Sequence, residues 1–205
     1  MAGVPSLRAG TRPRSRQLTP HSLAFYVDVV MSGAVLGARP TDSPDQVTAI
    51  LGTDFAEDRP YGDTLARDYG LAEFFWVRES PDHPWEGHHF TLQVHRLAYG
   101  GGAIVNRGIR DRYGRFDRHL RFDKLRRLLA NRGVGLEDVP DANAPAYTLH
   151  WQPASQVSVI AFRERQWGRP PRRGNRLVGD VNSISSSMTA GQVAWNRARY
   201  GPRDA

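Results

Sequence analysis

The longest apolar run of the chain, LAFYVDVVMSGAVLGA over 23–38, is broken by one charge, Asp28. A continuous apolar run fits a buried strand, so the expectation is a first buried strand behind a polar tail. Arginines ahead of an apolar stretch also have the order of a secretion signal, but Asp28 sits inside the stretch and no A-x-A site follows it. A start of translation at Met31 is another reading of the same segment.

The next pattern is helical. Ser43 precedes Pro44, Asp45 and Gln46. This gives an N-cap, a proline at the first helical position, an acid at the positive end of the dipole and an S-x-x-Q capping box. Val47, Ile50 and Leu51 form one stripe and Gly52 ends it, which predicts a helix over 44–51. Residues 53–68 read as an acidic loop.

YGLAEFFWV (69–77) is apolar on both faces except at Glu73 and predicts a central strand. HHFTLQVHRL (88–97) alternates, with Phe90, Leu92 and Val94 on one face and His89, Thr91, Gln93 and His95 on the other. The turn-rich 79–87 joins the two as antiparallel neighbours. Gly100 to Gly102 open a loop. Phe122, Leu125, Leu128 and Leu129 then recur at helical spacing up to Gly133. YTLHW (147–151) and QVSVIAF (156–162) form a hairpin across 152–155, and a last strand runs over 177–184. The fold class is α+β, with a mainly antiparallel sheet of five to six strands and two helices on one face. Its single domain covers 23–184, between a disordered Arg/Pro-rich tail (1–22) and a Ser/Arg-rich tail (185–205).

Composition changes this picture in one respect. The chain has 205 residues, a formal charge of +7 and no cysteine. The absence of cysteine excludes disulfides, thiolate zinc sites and cysteine nucleophiles. No apolar run reaches the roughly 18 residues of a membrane helix, so the expected setting is the cytoplasm with no membrane partner. The basic side chains are 27 arginines and one lysine, a ratio typical of a GC-rich coding sequence. They crowd at the ends. Residues 1–23 carry four arginines and no acid, and 163–205 carry nine against three acids. The body, 24–162, holds 15 bases and 18 acids and is mildly acidic.

Candidate chemistry is sparse. His89 and His95 share a strand face, but six residues at about 3.3 Å each hold them roughly 20 Å apart, too far for one metal, and His88 points to the opposite face. Neither a metal nor a cofactor is expected. Glu73 is the carboxylate an enzyme would use if it were buried, with His89 or His95 beside a pocket; the plainer reading pairs it with an arginine. GGGAIVNRG (100–108) lacks both P-loop and dinucleotide spacing, and neither G-x-S-x-G nor H-E-x-x-H occurs. No catalytic residue is assigned. The Arg-rich end, with Trp167, Trp195 and Tyr200, is the feature a nucleic acid would use. Two acidic loops flank the 69–77 strand: one with Asp54, Glu57, Asp58 and Asp63, the other with Trp85 and Glu86. They read as one recognition rim for a protein partner.

A short helix ending in ILG (50–52), a polar loop, DYGLAEFFW (68–76) and FTLQVHRL (90–97) follow one another in this chain. That layout resembles the small α+β immunity proteins of bacterial polymorphic-toxin systems, over about 47–97. The resemblance implies a non-enzymatic protein that masks a cognate, basic toxin domain. It carries over no catalytic residues, and the Arg-rich ends depart from it.

Overall fold

The computed structural model describes residues 21–163 and 177–202. The tail read over 1–22, apart from His21 and Ser22, and the GRPPRRGN segment (168–175) lie outside these residues. The chain runs α1 (His21–Ser32), α2 (Pro44–Leu51), β1 (Ala56–Asp58), β2 (Thr64–Asp68), β3 (Ala72–Val77), β4 (Glu86–Leu92), a 3-10 turn (Val94–Arg96), and α3 (Leu97–Gly100). After a second 3-10 turn (Gly101–Ile104) come α4 (Arg107–Tyr113), α5 (Phe122–Ala130), β5 (Glu137–Val139), β6 (Tyr147–Gln152), β7 (Val157–Phe162), β8 (Val181–Ser186) and α6 (Ala190–Tyr200).

The class is α+β and the sheet is antiparallel throughout. Its order is β1-β2-β3-β4-β8-β7-β6-β5. Two consecutive meanders, β1–β4 and β5–β7, are therefore joined by the last strand, which pairs with β4 on one side and β7 on the other. Among the described residues, eight strands and six α-helices replace the expected five to six strands and two helices. The additional strands are short. β1 and β5 have three residues each, and β1 and β2 carry the charges that made 53–68 read as a loop.

One face of the sheet holds the main core. Leu65, Phe74, Trp76, Phe90, Leu92, Ile184, Val157 and Val159 pack there against Phe25 and Val27 of α1, Val47 and Leu51 of α2, and Leu125 and Leu129 of α5. Phe25 lies edge-on to Tyr113 and Phe116 at 5.3 and 5.5 Å. Burying side chains of this size contributes about 1.5–3 kcal/mol each. The opposite face has a second, smaller core at one end only. Val193 of α6 meets Val139, Leu149 and Trp151 there.

Three expectations are corrected. The 23–38 run is not a strand: α1 covers its first ten residues, with Leu23, Phe25, Tyr26, Val27, Val29 and Val30 buried. A helix sunk on most sides reads as continuously apolar, which does not distinguish it from a buried strand. Asp28 lies on its exposed stripe and accepts a 2.9 Å bond from the Tyr113 hydroxyl. The second strand stops at Leu92 and does not reach 97. The chain then turns through Val94–Arg96, so His95 leaves the strand and approaches the Asn182 carbonyl at 3.3 Å. Residues 185–200 are not a tail. Ser185 and Ser186 belong to β8, and Thr189 opens α6 with a capping box to Gln192. The helix over 44–51 has the expected bounds, cap and box.

Candidate functional site

Strand alternation and the sheet register divide the second face into two halves. α6 covers the β5–β7 end through Val193. Among the described residues no helix packs on the β1–β4 half, which presents Ala66, Phe75, Val77, His89 and Thr91, none of them buried. At its rim lie the β1–β2 turn and the β3–β4 loop.

Arg78 fastens these loops together. Its Nη2 and Nε donate to the Gly62 carbonyl at 2.8 and 3.2 Å, and its Nη1 donates to the Pro81 carbonyl at 3.0 Å. Its backbone N–H donates to the Asp63 carbonyl at 3.0 Å. The guanidinium also lies 4.3 Å from the centre of the Trp85 ring. The residues expected to form a recognition rim thus divide by role. Asp54, Asp58, Asp63 and Glu86 are exposed and have no ion-pair partner among the described residues. Glu57 is matched: Arg67 donates at 2.9 Å and Arg59 at 3.0 Å. The Arg67 bond, with Arg59 helping against partial burial, lowers its carboxyl pKa. Trp85 is half-buried against the core under Arg78 and so forms part of the rim's frame. Tyr61, 72% exposed, stands in the same turn as Gly62 and Asp63.

Glu73 takes the plainer of its two readings. It is in contact with Arg96, and Gln93 Nε2 donates to it at 2.5 Å. Arg96 also holds Asp68 at 2.9 Å and the Gly70 carbonyl at 3.0 Å. A carboxylate engaged by a guanidinium and an amide has its oxygens occupied, unlike the general acid or base that an enzyme needs.

The histidines are arranged in a way the strand pattern does not disclose. Phe75 pairs with His89 but Trp76 pairs with Gly87, so β4 carries an extra residue at His88. Such a bulge redirects a side chain. His88 turns toward His89 instead of the opposite face, and their Nδ1 atoms lie 2.6 Å apart. His89 stacks on Phe75 with centroids 4.2 Å apart and planes 5° from parallel. Burial, assisted by His88, pulls the His89 pKa down to about 4. No group of three or more His, Cys, Asp or Glu able to hold a metal occurs among the described residues.

Both histidines border a groove of about 520 Å³ between β8, β7 and α6, with Asp141, Ile160, Ser187 and Trp195 among its other walls. Reading 185–205 as a tail removed this groove from view. The signal that reveals it is the Thr189-x-x-Gln192 box, the same pattern as Ser43-x-x-Gln46. Of the aromatics offered for nucleic acid, Trp195 and Tyr200 lie edge-to-face in α6 at 5.7 Å, and Arg197 pairs with Glu137 at 2.7 Å. Trp167 lies outside the described residues. No helix among the described residues is long and apolar enough to cross a membrane. No protein-family model matches the chain, and neither a curated protein nor a solved structure matches it.

Proposed function

We propose that the chain is a non-enzymatic protein-binding module that receives a basic partner on the open β1–β4 face and its acidic rim. Its specific form is an immunity protein of the bacterial cytoplasm, masking a cognate toxin domain. One observation carries this reading: the Arg78 clasp holds two turns as one rim, with Asp63 and Glu86 on it, Asp58 at the near end of β1 and Asp54 beyond its far end, none of them with an ion-pair partner among the described residues. Carboxylates left unpaired in a chain of net positive charge supply a local field that steers a basic surface and sets its orientation. The sheet face beside them offers Phe75 and Val77, the latter 36% exposed, as apolar contacts at the centre of such an interface.

Glu73 gives the enzyme reading no support, because Arg96 and Gln93 already engage its carboxylate. The experiment is co-expression with the toxin encoded by the neighbouring gene. The intact chain restores growth, and the D54N/D58N/D63N/E86Q variant, folded to the same thermal midpoint, does not. Equal rescue by both removes the rim from the function.

A further inference from the structure

We infer that the groove between α6 and the sheet is a receptor for the guanidinium or ammonium head of an arginine or lysine side chain. This inference rests on the protein-binding reading and names the chemistry of a second anchor for the same basic partner.

The groove is built from fixed parts. Thr189 caps α6, Trp151 Nε1 donates to the Met188 carbonyl at 2.8 Å, and Asn196 Nδ2 donates to the Pro140 carbonyl at 3.0 Å. Val193 is 1% exposed, so the helix is docked and the groove has a rigid wall. Its volume, about 520 Å³, falls within the range of small-ligand sites, about 300–1,000 Å³.

Charge decides the occupant. Among the described residues the walls contain no lysine or arginine and one carboxylate, Asp141. The Asn143 backbone N–H and Nδ2 both donate to Asp141 Oδ2, at 3.4 and 3.0 Å. Oδ1 keeps its acceptor capacity among the described residues. Trp195, also in the wall, is 59% exposed. An indole face and a free carboxylate oxygen are the two groups that attract an organic cation, the first through the ring quadrupole and the second through charge-assisted hydrogen bonds. Leu149, Ile160 and Met188 line the same groove and match the aliphatic stem of a long basic side chain. On the β4 side His88 and His89 share one Nδ1 contact, and His89 stays uncharged at neutral pH, so it adds no repelling cation. An anion would meet Asp141 with no lysine or arginine among the described wall residues to offset it.

The test titrates n-butylguanidinium into the full chain and follows the Ser187 and Met188 amides and the Trp195 indole by NMR. Saturable shifts are expected in the millimolar range, the scale open to so small a ligand. D141N keeps an acceptor for the Asn143 turn, and Trp195 is exposed enough that W195A folds; each weakens binding about fivefold. n-Butylurea, similar in shape and uncharged, binds about fivefold more weakly or less. Equal binding of the urea overturns the cation assignment. Unchanged affinity in both variants overturns the location, and no shift across the millimolar range overturns the receptor itself. D111N, on α4 away from the groove, leaves probe binding unchanged. Probe binding that survives while rim variants have no effect on the toxin sinks the rim and spares the groove; the reverse result sinks the groove alone.

Discussion

His88 and His89, sequence neighbours on one strand, meet through their Nδ1 atoms at 2.6 Å because a bulge turns both rings to the same side. One of the two nitrogens carries the proton and the other accepts it. Burial and the neighbouring ring hold the His89 pKa at about 4, below the ordinary 6.5. The unfolded chain therefore binds more protons than the folded one between these values. Stability from this residue is complete above about pH 6.5 and falls as the pH drops toward 4. His150, its pKa lowered by burial against the opposing pull of Asp138, acts in the same direction. Urea melts from pH 7 to 4 show this decline in the wild type and a shallower one in His89→Gln. Equal slopes refute the assignment.

Arg78 is the bond between the rim's two loops. Arg78→Ala removes hydrogen bonds to the Gly62 and Pro81 carbonyls and the cation above Trp85. The expected cost is about 2 kcal/mol, with faster amide exchange at 59–64 and 79–86 and unaltered exchange in β7. Denaturant unfolding and hydrogen exchange measure the two effects.

Gly87 lies beside the bulge and under the loop that enters α2. A Cβ there would sit 2.2 Å from the Pro40 carbonyl oxygen and 2.8 Å from Thr41 backbone atoms. These are backbone neighbours with no rotamer to change. Gly87→Ala is expected to cost about 3 kcal/mol and to perturb the His88 and His89 ring signals. Gly135→Ala, where nothing lies within 4 Å, is the silent control.

α6 depends on Val193 for its docking. Val193→Asp removes a fully buried valine and places a carboxylate against Trp151 and Leu149. A cost of about 3 kcal/mol is expected. Limited proteolysis should then cut within 187–200 while the main core around Phe74 and Leu125 stays protected. Protection of α6 equal to wild type would contradict the docking.

Local chemistry made part of this fold legible. The helix at 44–51 is specified by Ser43, Pro44, Gln46 and Gly52, all within one short stretch, and its bounds follow from them. β3 and β4 are visible through Phe74, Trp76, Phe90 and Leu92. β8 is not, because VNSISS carries few apolar residues. Its place is fixed by neighbours distant in sequence, including Thr91, whose hydroxyl meets that of Ser185 at 3.0 Å. The seven strands of the two meanders hide their register for the same reason: pairing is tertiary. At the site, the carboxylates of the rim are readable as loop acids. The matching of Glu57 by Arg67, the Arg78 clasp and the redirected His88 are relationships between segments, and single-residue pattern does not encode them.

The proposed function is tested most directly by the affinity of the chain for the product of the gene beside it, measured by calorimetry at two salt concentrations for the wild type and for D54N/D58N/D63N/E86Q. Four exposed carboxylates without an ion-pair partner among the described residues, set against a basic surface, predict binding that weakens with salt in the wild type and is at least about tenfold weaker, with little salt dependence, in the variant. Equal affinity and equal salt dependence in both would contradict the claim that this rim receives the partner.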